Sequence, residues 1–168
     1  GGVLRWHLIP ADQAAIGGLC RDTGFFSEAE IAIAEELAAD RLTRGNASEY
    51  RFVVADGPNG AMLAYACYGP VPATRSAWDL YWIVVDPAVQ GSGLGRRVLD
   101  AVLAEAGSAG ASQLYAETEA TLLYAPTRAF YAACGFHLQA VLPDYFAPGA
   151  GKQIWVRPLA RDPAILRG

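Results

Sequence analysis

The stretch "VDPAVQGSGLGRR", residues 85–97, sets glycines at 91, 93 and 95 and follows them with Arg96 and Arg97. Alternate glycines let successive backbone N–H groups turn into one concavity. A helix starting just behind them adds partial positive charge there. Together they bind an anion, usually phosphate.

Other phosphate loops fit less well. A Walker loop needs G-x-x-x-x-G-K-[ST], and no such string occurs. A dinucleotide fingerprint, G-x-G-x-x-G, is met by Gly91 and Gly93 but has Arg96 at its third glycine. Glu117 does fall about 20 residues further on, where a ribose-binding acid would stand. However, that loop belongs after the first strand of its domain, and here several predicted strands precede it.

The elements around these residues follow from periodicity and punctuation. "RWHLI" predicts a first strand, and Pro10 and Asp12 open a helix towards Thr23. Ser27 with Glu30 forms a capping box ahead of Ile31, Ala34, Leu37, Ala38 and Leu42, and Gly45 ends that helix. "YRFVVAD" and "AMLAYACYG", joined by "GPNG", predict a hairpin. "DLYWIVV" predicts a central strand buried on both faces. Behind the glycines, Leu94, Val98, Leu99, Val102, Leu103 and Ala106 make one helical stripe. "SQLYAET" predicts a strand, then Pro126 starts and Gly135 stops a short helix. "FHLQAV" and "KQIWVRPL" are the last two strands, joined by the loop "LPDYFAPGAG".

Composition narrows the function classes. Of 168 residues, 53% are hydrophobic and 18% charged, as in a folded globular domain, and the net charge of −4 argues against a nucleic-acid partner. A cationic or amine-bearing substrate is mildly favoured. Cys20, Cys67 and Cys134 form no C-x-x-C pair, which predicts reduced thiols in a cytoplasmic protein. His7 and His137 are too isolated for a metal cluster, so no metal is expected. The longest apolar runs, such as "LYWIVV", are strand-length, and no basic region leads into a long apolar stretch. Neither a membrane span nor a secretory leader is therefore expected.

Two strings together resemble the GNAT N-acetyltransferase superfamily. Its acyl-CoA loop, Q/R-x-x-G-x-G/A, is carried by Gln90, Gly93 and Gly95. Its short helix ending Tyr-x-x-x-Gly-Phe is carried by Tyr131, Gly135 and Phe136. The resemblance spans roughly residues 50–159. It implies an α+β fold: a mixed, mostly antiparallel sheet of six or seven strands, about four flanking helices, and a splay between the two central strands. One domain over 3–159 with a tail at 160–168 is expected.

The resemblance implies acetyl-CoA as co-substrate. Ile83, Val84, Val85, Gln90, Gly91, Ser92, Gly93, Leu94, Gly95, Arg96, Tyr124 and Tyr131 are the implied cofactor-binding residues. Arg97 could also reach a phosphate. Many relatives have Asn where Tyr124 stands and Ala where Thr127 stands. The implied chemistry is direct attack by a neutral amine, with the Val85 N–H as oxyanion donor and Tyr131 as general acid to the departing thiolate. Relatives often place a carboxylate four residues before the Val85 position, where this chain has Tyr81. Asp79, six residues upstream of Val85, is about 20 Å away at strand rise and is expected not to act directly. Glu117 and Glu119 are nearer through water, and Glu117 is favoured as the base. Cys134, a conceivable acyl carrier, reads more readily as packing. Phe25, Phe26, Tyr81 and Tyr145, with Phe146, are candidates for an acceptor pocket.

The function so implied is acetyl transfer to a primary amine of a small molecule or peptide, with room for a homodimer. The alternative is an acyl-CoA-binding regulatory module that has lost catalysis, followed by a dinucleotide-dependent oxidoreductase.

Overall fold

The computed structural model describes residues 2–159; Gly1 and the tail expected at 160–168 lie outside the described residues. Seven strands stand in the order β1-β2-β3-β4-β5-β7-β6. They are β1 (Val3–Arg5), β2 (Arg51–Asp56), β3 (Met62–Pro70), β4 (Ala77–Val85), β5 (Gln113–Glu119), β6 (His137–Ala147) and β7 (Ala150–Pro158). Four helices accompany them: α1 (Asp12–Thr23), α2 (Glu28–Arg44), α3 (Leu94–Ser108) and α4 (Ala125–Ala133). The chain gathers into two compact units, residues 2–69 with 82–104, and residues 70–81 with 105–159.

In the first unit β1 pairs antiparallel with β2, and β2 with β3. Phe52, Val53, Val54, Tyr65, Val98, Leu99 and Val102 are fully buried. Each such side chain contributes about 1.5–3 kcal/mol by leaving water. The expected capping box starts α2: Ser27 Oγ accepts from Glu30 N, and Glu30 Oε1 accepts from Ser27 N. Along α2 only Ile31, Ala34 and Ala38 are buried, while Leu37 and Leu42 remain half-buried. Of the α3 stripe, Leu103 is the half-buried member.

The first strand lies earlier than expected: it runs over Val3–Arg5 and shares only Arg5 with the expected "RWHLI" at residues 5–9. Asp12 accounts for this. Its carboxylate accepts from the Arg5 guanidinium at 2.7 and 2.8 Å and from Ile9 N at 2.8 Å, which turns residues 6–9 out of the ladder.

In the second unit β4 pairs with β5 in parallel from Ala77↔Gln113 to Leu80↔Ala116. β7 then pairs antiparallel with both β5 and β6. One parallel ladder among antiparallel ones gives the mixed sheet that was expected. Leu80, Leu114, Ala116, Tyr131, Phe136 and Val156 are buried. Contrary to expectation, β4 is not covered on both faces. Trp78, Leu80 and Val84 are buried, but Asp79, Tyr81, Ile83 and Val85 are only partly so.

The expected loop "LPDYFAPGAG" is mostly strand as well. β6 runs on to Ala147, and the turn shrinks to Pro148 and Gly149. A register shift between Leu142 and Ala147 takes up the irregular residues, with Asp144 at φ 57°. Asp144 Oδ1 accepts from Gly149 N at 2.8 Å and closes the turn. Pro143 can lie in this strand because β6 is the sheet edge, where a missing N–H breaks no ladder bond.

Candidate active site

The glycine loop is held by hydrogen bonds within the first unit. Asp86 N donates to Leu63 O at 2.8 Å, and Asp86 Oδ1 accepts from Ala88 N. Gln90 Nε2 donates to Val85 O at 3.3 Å, and Ser92 Oγ donates to Val89 O. Gly91 and Gly93 have φ of 82° and 85°, so both need glycine, whereas Gly95 is already helical. Around both positive-φ glycines a Cβ would meet open space. The first turn of α3, at Leu94 and Gly95, presents N–H groups that have no helical carbonyl before them. A cavity of about 540 Å³ lies beside the loop, lined by Pro58, Leu63, Gln90, Gly91, Ser92 and Arg97, among others. These residues fit a bound pyrophosphate.

Arg97, which lines that cavity, also donates from Nη2 to Gly2 O at 3.0 Å. Phe26, an acceptor-pocket candidate, packs edge-on against Trp82 with ring centroids 6.1 Å apart. Phe25 is half-buried beside it in the chain. A larger cavity of about 740 Å³, lined by residues including Trp6, His7, Arg41 and Leu42, contains none of the expected site residues.

The second unit holds the other candidate groups. Tyr131 is buried, its ring 4.9 Å from that of Phe136. Burial, with Cys134 beside it, holds its phenol well above the usual range, so it stays protonated. Tyr124 is the N-terminal flanking residue of α4 and is half-buried, followed by Pro126 in the first turn. Arg128 fastens α4 to the end of β5 by donating to Glu119 O at 3.0 Å and Thr121 O at 2.7 Å. Cys134 is buried, and its carbonyl accepts from Arg157 Nε, as suits a packing residue.

Glu117 lies in a cluster that sequence reasoning did not assemble. Its Oε1 accepts from Lys152 Nζ at 2.9 Å. The same ammonium sits 4.4 Å from the centroid of the Tyr145 ring, a cation–π contact. Burial works against the Lys152 ammonium, but the Glu117 and Tyr145 contacts outweigh it and its pKa rises. Asp79 is half-buried one strand away. Burial raises its pKa, the Glu117 charge raises it further, and Lys152 opposes the rise. Tyr145, expected in a loop, reaches this cluster from strand β6.

A usable signal for Lys152 was present, since it is the only lysine in the chain, the other twelve basic residues being arginine. Asp79 is six residues from Val85 along its own strand, but the parallel register places it beside Tyr115, two residues before Glu117.

The acetyltransferase (GNAT) family model matches residues 21–136. No curated protein matches the chain. A GNAT-family protein of Desulfovibrio desulfuricans is similar in sequence and structure: 40% identity and a TM-score of 0.92, over 95% of this chain and all of that one. The ribosomal-protein-S18-alanine N-acetyltransferase of Escherichia coli shares the fold, with 23% identity and a TM-score of 0.74 over 96% of each chain. An aminoglycoside 6′-N-acetyltransferase complexed with coenzyme A does so too, with 17% identity and a TM-score of 0.75 over 96% of this chain and 99% of its own. Among the described residues no helix is long and apolar enough to cross a membrane.

Proposed function

Since the chain belongs to the GNAT acetyltransferase family, we propose that it transfers acetyl from acetyl-CoA to a primary amine of a small molecule or peptide by direct attack. The observation that carries this reading is the pair of positive-φ glycines, 91 and 93, set ahead of α3 beside a cavity. Backbone N–H groups of the loop and of the α3 first turn bind the pyrophosphate, with Arg96 adding charge. Acetyl-CoA, when bound, supplies an acyl group already activated as a thioester. Ile83, Val84, Val85 and Tyr124 hold the remainder of it.

The protein groups divide the proton work. Val85 N–H donates to the carbonyl oxygen as negative charge builds on it. Glu117 accepts the amine's proton through water. Tyr131, kept as a phenol by burial, protonates the thiolate as it leaves. Phe25, Phe26, Tyr81 and Tyr145 shape the acceptor side. The cytoplasm is the expected setting.

The test is a panel of primary amines incubated with purified protein and acetyl-CoA, reading release of free CoA thiol and the acetylated product. Amine-dependent release supports the reading, and Glu117→Gln should depress it most at low pH, where the amine is mostly protonated. Coenzyme A binding without turnover of any amine points instead to the acyl-CoA-binding module.

A further inference from the structure

Lys152 is the only lysine in this chain, and so its only side-chain primary amine. The β5–β7 register sets it directly opposite Glu119. Its ammonium nevertheless reaches diagonally, to the residue two positions earlier on the same face of β5. Nζ stands 2.9 Å from Glu117 Oε1, and the Lys152 side chain is only 13% exposed. The Tyr145 ring, from β6, lies 4.4 Å from the same nitrogen. Asp79, on the next strand, faces this group from β4.

The position of Nζ is the one that the chemistry asks of a substrate. A base takes a proton only from a group within hydrogen-bond reach, directly or through one water. An acceptor amine must therefore come about as close to Glu117 as Lys152 Nζ already stands. Lys152 also belongs to the acceptor class of the acetyl-transfer reading, a primary amine. Glu117 and Tyr131 lie in the same compact unit of the chain. An amine tethered there loses no translational freedom on meeting the base, which favours it over an amine from solution.

Resting on the acetyl-transfer reading above, we propose that Lys152 is a self-acetylation site, modified by the active site of its own chain. Lys152 Nζ gives one proton to Glu117, and its lone pair forms a bond to the acetyl carbonyl carbon. The carbon–sulfur bond of the thioester breaks, and the departing sulfur takes a proton from Tyr131. The second proton on nitrogen returns through water to Tyr131, while Glu117 passes its own to solvent. The balance is one Nζ-acetyl amide, one CoA thiol and one proton. The amide carries no charge, so the ion pair with Glu117 and the cation–π contact with Tyr145 both end. The step is slow: burial opposes the ammonium, but the Glu117 and Tyr145 contacts outweigh it and hold Lys152 charged.

The test incubates the full chain with acetyl-CoA and no acceptor, reading intact mass and a peptide map over time. The parent should gain the mass of one acetyl group, which the map places on Lys152. Lys152→Arg should keep its own mass. The rate should level off as acetyl-CoA is raised, and its rate constant should not change with protein concentration. A rate that stays proportional to acetyl-CoA marks uncatalysed acetylation and overturns the proposal. So does a rate constant that grows with protein concentration, which marks transfer between copies, or an acetyl group found only on the α-amino group. If Lys152→Arg does not fold, the parent's map and saturation still decide. A parent that acetylates an amine of the panel but leaves Lys152 unmodified overturns this inference alone. A parent that acetylates neither overturns the acetyl-transfer reading and this inference with it.

Discussion

Arg157 Nε donates to the Cys134 carbonyl at 3.1 Å, so strand β7 closes the end of the helix that carries Tyr131. Two backbone bonds converge on the same turn, with Phe136 N and Cys134 N both donating to Tyr131 O. Gly135 makes this closure possible. Its φ is 86°, and a Cβ there would stand 2.8 Å from Arg157 Nε.

Gly135→Ala should therefore cost more than a usual helix-end substitution. A left-handed alanine loses about 1–2 kcal/mol, and the displaced guanidinium gives up its bond to Cys134 as well. We expect the melting temperature to fall by several degrees (roughly 2–4 °C per kcal/mol at this chain length), with a loss of turnover as Tyr131 shifts. An unchanged melting curve would show that the turn relaxes freely.

Arg5 bridges Asp12 and Asp56, with Nε 2.6 Å from the Asp56 carboxylate. Burial raises the pKa of Asp12, but the Arg5 and Ile9 hydrogen bonds outweigh it and bring it below the ordinary value. A depressed carboxylate contributes stability that is full above its unfolded pKa, about 3.9, and is lost as pH falls through the lower folded value. Arg5→Met should strand Asp12, destabilise by roughly 1–3 kcal/mol near neutrality, and flatten the acid end of the stability–pH curve. Melting temperatures measured from pH 2 to 7 would reveal both effects, about as wide a range as the carboxylate titration needs.

Gly93→Val should weaken acetyl-CoA binding and also strain the free protein. A β-branched residue at a φ of 85° is costly whatever space surrounds it. The ligand effect must therefore be read as a difference. At a hundred times its dissociation constant, acetyl-CoA should stabilise the parent by about 2.7 kcal/mol. The variant should melt lower without ligand and show little further shift with it. A full ligand shift in the variant would move the phosphate site away from this loop.

Tyr131→Phe keeps the ring against Phe136 and removes only the proton donor. General acids contribute on the order of a hundredfold, so single-turnover acetyl transfer should slow by one to two orders of magnitude, with the KM for acetyl-CoA nearly unchanged. Because burial holds the phenol above its usual range, Tyr131 should add no basic limb to the parent's pH–rate profile below about pH 10. A variant within about threefold of the parent would reduce Tyr131 to packing.

The features legible in the sequence were those decided by local physics. Glycines 91 and 93 announced positive φ before a helix because few other residues adopt it. Ser27 and Glu30 announced the start of α2 because their bonds span three residues. Apolar spacing and punctuation placed the four helices and the strands β2 to β5 and β7 to within about two residues, and the two strings around Gly93 and Tyr131 carried the family.

What sequence could not decide were outcomes of long-range pairing. The first strand stops at Arg5 because a carboxylate seven residues on captures it. β6 absorbs an expected loop because its ladder with β7 tolerates a register shift and lies at the sheet edge. Above all, Asp79, Glu117, Tyr145 and Lys152 come from four strands whose order is not the chain's order. Only the strand register brings a lone lysine to within hydrogen-bond distance of Glu117. Such pairings depend on which strand finds which neighbour in the folded sheet, and local propensity carries no record of that choice.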